Sequence, residues 1–256
     1  MKNFINNQRL AQLAGVDYDS ERIIEGPIVY SRTHTVVSQF PKLAKFPECI
    51  LITSFSDAKC TDQMAEKLPP NVKRWYSNNV NTDNHRVIGV PIGLRTSNEG
   101  EIVLRDVMYG DRPLERNLVY MNFYRNISRN PNPREGLYEQ FLCKSWVTAE
   151  GGFEHMSMPH FYGQIKAHPY VLSPPGAGPD CHRHWEAILL GSIPIVLKSK
   201  ATQILNDLPC LQVDNWRQVT EKKLLKELPL LKERFNNKEA LEICWFDFWH
   251  KKILET

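Results

Sequence analysis

The chain has 256 residues, enough for one large domain or two small ones with a sizeable core. Hydrophobic residues make up 42% and charged residues 24%, a globular composition that excludes a disordered chain. A formal charge of +3 is too weak to imply a nucleic-acid partner, and no stretch approaches the roughly 20 apolar residues needed to span a bilayer.

The opening segment, MKNFINNQRLAQLAG, is polar and mixed and lacks the continuous apolar core of a signal peptide. A soluble cytoplasmic protein is the expectation, with a luminal catalytic domain trimmed of its anchor as the alternative. GPIVYS (26–31) and CILITSF (49–55) read as strands flanking a helix-like stretch, HTVVSQFPKLAKF, where Pro41 is a possible kink. TDQMAEKL is a short helix closed by Pro69 and Pro70, and VKRWYS (72–77) and RVIGVPIGL (86–94) are two further strands. The charged segment 99–117 has no strong pattern, and the domain boundary is placed there.

Beyond it the rhythm sharpens. NLVYMNF (117–123), WVTAEGG (146–152), YVLSPPG (170–176), IPIVLKS (193–199) and CLQVDN (210–215) are strands. Between them lie helical stretches: REGLYEQFLCKS opened by Pro133, MPHFYGQIKAH with Pro159 in its first turn, DCHRHWEAILLGS (180–192) and TQILNDLP. Asp180 is the expected N-cap of the third and Gly191 its stop. The tail, 240–254, reads as one amphipathic helix whose aromatic residues form a packing face. Alternating helices and continuous apolar strands predict parallel sheets covered on both faces. The expected fold class is α/β, with two Rossmann-like domains, 1–113 and 114–256, facing a cleft.

The segment 170–196 carries the strongest chemistry. Its strand, glycine-containing loop and helix N-terminus together make an anion site, because loop amides and the helix dipole point at one place. Gly176 and Gly178 permit close backbone approach, and Arg183 and Glu186 share a helix face. An arginine neutralises a diphosphate and a carboxylate one turn on accepts from ribose hydroxyls. An ordinary βα turn bearing a surface Arg–Glu pair is the alternative, and the dinucleotide fingerprint GxGxxG is absent.

The same segment resembles the carboxy-terminal signature of exostosin-type glycosyltransferases, R-x-x-E-A-x-x-x-G-x-I-P, here Arg183, Glu186, Ala187, Gly191, Ile193 and Pro194. KRWYSNNV (73–80) with HRVIGVPIGL (85–94), and NLVYMNFYRN with Arg134, look like further parts of that pattern, over roughly residues 48 to 215. The resemblance implies a GT-B-like architecture holding a UDP-sugar in the cleft. By carry-over Glu186 holds the ribose and Arg183 the phosphates. The loop Ser173, Pro174, Gly176, Gly178, Asp180, Cys181 and His182 wraps the nucleotide, and Asn122 and Arg125 face the donor. Ribitol xylosyltransferases and related viral and bacterial enzymes look nearest, which favours xylose as donor sugar and a glycan hydroxyl as acceptor. The short chain departs from the animal and plant members in length.

No cofactor beyond the UDP-sugar and no metal is expected. Asp17-Tyr18-Asp19 is a DxD, but it precedes every expected strand, and Cys181 with His184 lacks a second ligand pair. The six cysteines, at 49, 60, 143, 181, 210 and 244, form no CxxC and read as free thiols. Asn126-Ile127-Ser128 matches a glycosylation acceptor, which carries no meaning in a cytosolic chain. An inverting transfer needs a base, and Asp57 stands past the strand CILITSF, with Asp83, His85 and His34 as rivals and a turn or helix cap as its other reading.

Overall fold

The computed structural model describes residues 2–16, 23, 26–95, 97–111, 113–125, 127, 131–150 and 156–256. The Asp17-Tyr18-Asp19 triplet, Asn126 and Ser128 lie outside the described residues. In chain order the elements are α1 (Asn7–Leu13), β1 (Ile28–Arg32), α2 (Val36–Leu43), β2 (Cys49–Ser54), β3 (Cys60–Thr61), α3 (Asp62–Glu66), β4 (Val72–Ser77), β5 (Val80–Asn81), β6 (Val87–Gly89) and α4 (Asn98–Tyr109). There follow β7 (Val119–Met121), α5 (Leu137–Leu142), β8 (Val147–Ala149), α6 (Met158–Ala167), β9 (Tyr170–Leu172), α7 (His182–Leu189), β10 (Ile193–Leu197), β11 (Leu211–Val213), α8 (Glu221–Glu233), α9 (Lys238–Leu241) and α10 (Phe246–Leu254).

The fold is mixed α/β with parallel sheets. A four-stranded sheet runs β1-β2-β4-β6 and a five-stranded sheet runs β11-β10-β9-β7-β8, with the short β3-β5 pair beside them. Both larger sheets are sandwiched. On one face of the first, Tyr30, Ile52 and Tyr76 pack with Leu10 of α1 and Trp249 and Ile253 of α10. On the other, Val29, Leu51 and Trp75 meet Val36 and Phe40 of α2. The second sheet sends Tyr120 and Val171 toward α6 and α7, and Met121, Leu172 and Ile195 toward α5 and α8.

Several elements differ from the expectation. Residues 98–109, read as patternless, form α4: Ser97 caps it by accepting from Gly100 N–H, Glu99 and Glu101 fill its first turn, and Leu104 is buried. The tail breaks at Trp245, whose extended backbone separates α10 from the turns before it. α10 packs on the first sheet although the chain has already built the second. Cys181, rather than Asp180, is the N-cap residue of α7. Gly191 ends that helix as expected: it follows the C-cap Leu190 with φ +78°, a left-handed conformation that glycine adopts without Cβ cost. Among the described residues no helix is long and apolar enough to cross a membrane.

Candidate functional site

In the second sheet the chain starts at β7, places β8 on one side and then crosses to β9 on the other. This reversal opens a crevice at the carboxyl ends of β7 and β9, where open α/β sheets bind ligands. The residues just past those ends are Asn122 and Ser173, and Glu150 follows β8. The N-terminus of α7, which packs along β10, supplies Arg183 and Glu186.

Three enclosed polar atoms in this crevice have no hydrogen-bond partner among the described residues: Ser173 Oγ, Arg183 Nε and Glu186 Oε2. Ser173 is 0% and Glu186 1% exposed, so water does not compensate them. Glu186 Oε1 accepts a long bond from the Tyr162 hydroxyl at 3.4 Å and lies 3.9 Å from Arg95 Nε of the first half. No ion pair joins Arg183 to Glu186 among the described residues, so the surface-pair alternative does not describe this helix. The Arg183 guanidinium lies over the Phe161 ring, 5.7 Å from its centroid. Burial pushes its pKa down to about 10, against the opposing pull of Glu186 and with the repulsion of Arg134 and Arg95. The group stays cationic at neutral pH and makes no ion pair among the described residues.

The loop from Ser173 to Cys181 is held from beneath by Arg134, a residue outside the expected site set. Its Nε donates to the Pro175 carbonyl at 2.9 Å and its Nη1 to the Tyr124 carbonyl at 3.0 Å. Gly176 N–H donates to Cys181 Sγ at 3.1 Å, and burial raises that thiol to about 11, so it sits neutral as a loop brace. His184 Nε2 donates to the Ser173 carbonyl at 3.3 Å and its Nδ1 accepts from Cys181 N–H.

Other expected residues turn toward the first half. Asp180 is 4% exposed; its Oδ2 accepts from Ile92 N–H at 2.8 Å and its Oδ1 from Trp185 Nε1 at 2.9 Å. Asp180 N–H donates to Asn79 Oδ1 at 3.0 Å, and His182 Nδ1 donates to the Gly93 carbonyl at 2.7 Å. A Cβ on Gly178 would lie 2.8 Å from Asn79 Nδ2, so this glycine admits the side chain of the other half. Arg125 pairs with Glu139 of α5 at 3.1 Å and stacks on Tyr138. Asn122 stays at the crevice, its Nδ2 donating to the Tyr120 hydroxyl at 3.0 Å.

Asp57 is exposed and has no hydrogen bond among the described residues. The cap reading fails for it: Ser56 Oγ accepts from Ala58 N–H there, and Thr61 precedes α3. Its neighbour Ser56 accepts at its carbonyl from Asn79 Nδ2 at 3.3 Å, which ties this loop to the Asp180 loop through one side chain. Phe55 and Asn79, just past β2 and β4, both hold φ +52°, strain of the kind stored at binding sites. His34 joins the group through Ser56 Oγ at 3.1 Å. Asp83 instead pairs with Lys200, and with His85 it lines a separate cavity of about 460 Å³. Among the described residues no group of three or more His, Cys, Asp and Glu could hold a metal ion.

No family model matches the chain, and a comparison with curated proteins returns no match. Among solved structures the chain is similar to one described as the crystal structure of a GtfA/B complex, at 10% identity and a TM-score of 0.44. The match covers 91% of this chain and 58% of that one, so the chain spans little more than half its length. A likeness this distant leaves the function to the geometry of the site.

Proposed function

We propose that the chain is a glycosyltransferase that moves a sugar from a UDP-sugar to a hydroxyl of a glycan acceptor. The observation that carries this is the trio of enclosed, unpartnered atoms on Ser173, Arg183 and Glu186 at the switch point. Burying an unsatisfied carboxylate oxygen and an unsatisfied guanidinium N–H costs more than the roughly 1–3 kcal/mol of a neutral group, and a ligand offering hydroxyls beside an anion relieves both. Ribose hydroxyls donate to Glu186, while the diphosphate meets Arg183, with Arg134 behind the loop. The arginines and the α7 N-terminus stabilise the departing diphosphate, so the reading includes no divalent metal and no further cofactor.

Within this reading the two sheets are the acceptor and donor halves of a GT-B arrangement, divided near residues 113 and 114. Asp57 takes the acceptor proton in a single inverting displacement, with His34 beside it. The sequence resemblance favours xylose as the sugar. Two measurements test the proposal. A thermal-shift panel of nucleotide sugars should raise the melting temperature for the UDP series, since a ligand at 100 times its Kd adds about 2.7 kcal/mol. Incubation of UDP-xylose with a panel of glycan acceptors, in EDTA, should then release UDP. Binding without release of UDP would leave a nucleotide- or carbohydrate-binding module in place of the enzyme.

A further inference from the structure

The crevice has a polarity along its length. Across the carboxyl edge of the second sheet the strands follow the order β10, β9, β7, β8. Glu186 and Arg183 stand on α7 beside β10, Ser173 follows β9, Asn122 follows β7 and Glu150 follows β8. Adjacent parallel strands lie about 4.8 Å apart, so Glu150 stands roughly 10 Å beyond Ser173. Helix α6 repeats the order in three consecutive residues. Tyr162 touches Glu186, Phe161 lies under Arg183, and His160 Nε2 is 3.1 Å from Glu150 Oε1. Arg95 and Arg134 join Arg183 and the Glu186 carboxylate at the first end, Glu150 stands at the other, and the Arg183 charge reaches the Tyr120 hydroxyl between them.

At that far end the polar groups form one network. The Tyr120 hydroxyl donates to Glu150 Oε2 at 2.7 Å and accepts from Asn122 Nδ2 at 3.0 Å. Burial and the neighbouring Glu150 both raise the Tyr120 pKa, which keeps that hydroxyl a donor. The Glu150 side chain is 24% exposed, and each oxygen has one partner, which leaves lone pairs for a further donor. A group meeting this surface is best a hydroxyl that donates to Glu150. A second carboxylate there would face a like charge, and no lysine or arginine pairs with Glu150 among the described residues.

We infer that Glu150, oriented by Tyr120 and His160, binds the transferred sugar and restricts the donor to neutral sugars, rejecting uronic acids. The inference rests on the reading of the crevice as a nucleotide-sugar site. With the ribose at Glu186 and the diphosphate at Arg183, the sugar extends toward β7 and β8 and reaches Asn122 and Glu150.

Calorimetry on the full chain with UDP, UDP-xylose, UDP-glucose and UDP-glucuronate tests it. UDP-glucuronate differs from UDP-glucose in carrying a carboxylate at C6. The expected result is binding of UDP and of both neutral donors, with UDP-glucuronate at least tenfold weaker than UDP-glucose. Glu150→Gln should narrow that gap to within about threefold and hold UDP affinity. UDP-glucuronate binding within threefold of UDP-glucose in the unaltered protein would overturn the inference, and this comparison needs no variant to fold. A gap unchanged in a folded Glu150→Gln protein would overturn the role of Glu150. Absence of UDP binding would instead remove the nucleotide-sugar reading itself, and the inference with it.

Discussion

Asp180 and Ile92 stand 88 positions apart in the chain, and the carboxylate of one accepts the backbone N–H of the other at 2.8 Å. The same carboxylate takes the Trp185 indole N–H, so a residue expected to face a nucleotide-sugar fastens the loop 173–181 to the first half. Asp180→Ala orphans two buried donors, and unfolding in urea should show a loss of about 2–4 kcal/mol. Asp180→Asn keeps an acceptor and should lose less. Equal stability of the alanine variant would return Asp180 to the ligand.

Glu186 leads to the opposite expectation. Its carboxylate is enclosed, weakly bonded and partnerless at one oxygen. Glu186→Gln keeps the shape, and the ion pair it loses among the described residues is a long one to the exposed Arg95, so the melting temperature without ligand should change little. UDP affinity should fall by about tenfold or more as the ribose loses a charge-assisted acceptor. A variant that unfolds more readily and binds UDP normally would make Glu186 a structural residue.

Gly178 tests the seam between the halves. The Cβ of Gly178→Ala would meet the Asn79 amide at 2.8 Å, and the loop would have to shift at a cost of about 1–3 kcal/mol. Adding Asn79→Ala should recover part of that cost, although it also removes the acceptor for Asp180 N–H. A double-mutant cycle in urea reads the coupling. Strict additivity would contradict the contact.

Much of this was legible in the sequence where signals are local. β4 falls on 72–77 as read, and α6 begins at Met158 with Pro159 in its first turn, because continuous apolar runs and N-terminal proline act within a few residues. α4 was hidden by its charges, although Ser97 and the acidic first turn mark its start. α8 carries Pro229 in its interior and went unassigned. The return of α10 to the first sheet, the inward turn of Asp180 and the buried brace of Arg134 depend on contacts across many tens of residues, which spacing does not encode. Arg183 and Glu186 are singled out by their motif, but the crevice on which the proposal rests depends on the order of the strands.

Asp57 is placed by the proposal as the base, and its carboxylate, exposed and without a hydrogen bond among the described residues, is consistent with a group that meets a second substrate. Asp57→Asn should lower turnover by roughly a hundredfold or more while UDP affinity holds. Circular dichroism should show an unchanged fold, since Asp57 caps no turn or helix among the described residues. Near-normal turnover would remove Asp57 and move the role to His34, which shares the Ser56 hydroxyl contact.

The central claim is that Arg183 faces a diphosphate beside a ribose held by Glu186. Calorimetric titration of UDP and of uridine into the unaltered protein and Arg183→Ala tests it most directly. The account predicts that UDP loses about 2 kcal/mol or more of binding free energy on losing Arg183, while uridine affinity changes little. Equal losses for UDP and uridine, or no UDP binding to the unaltered protein, would contradict it.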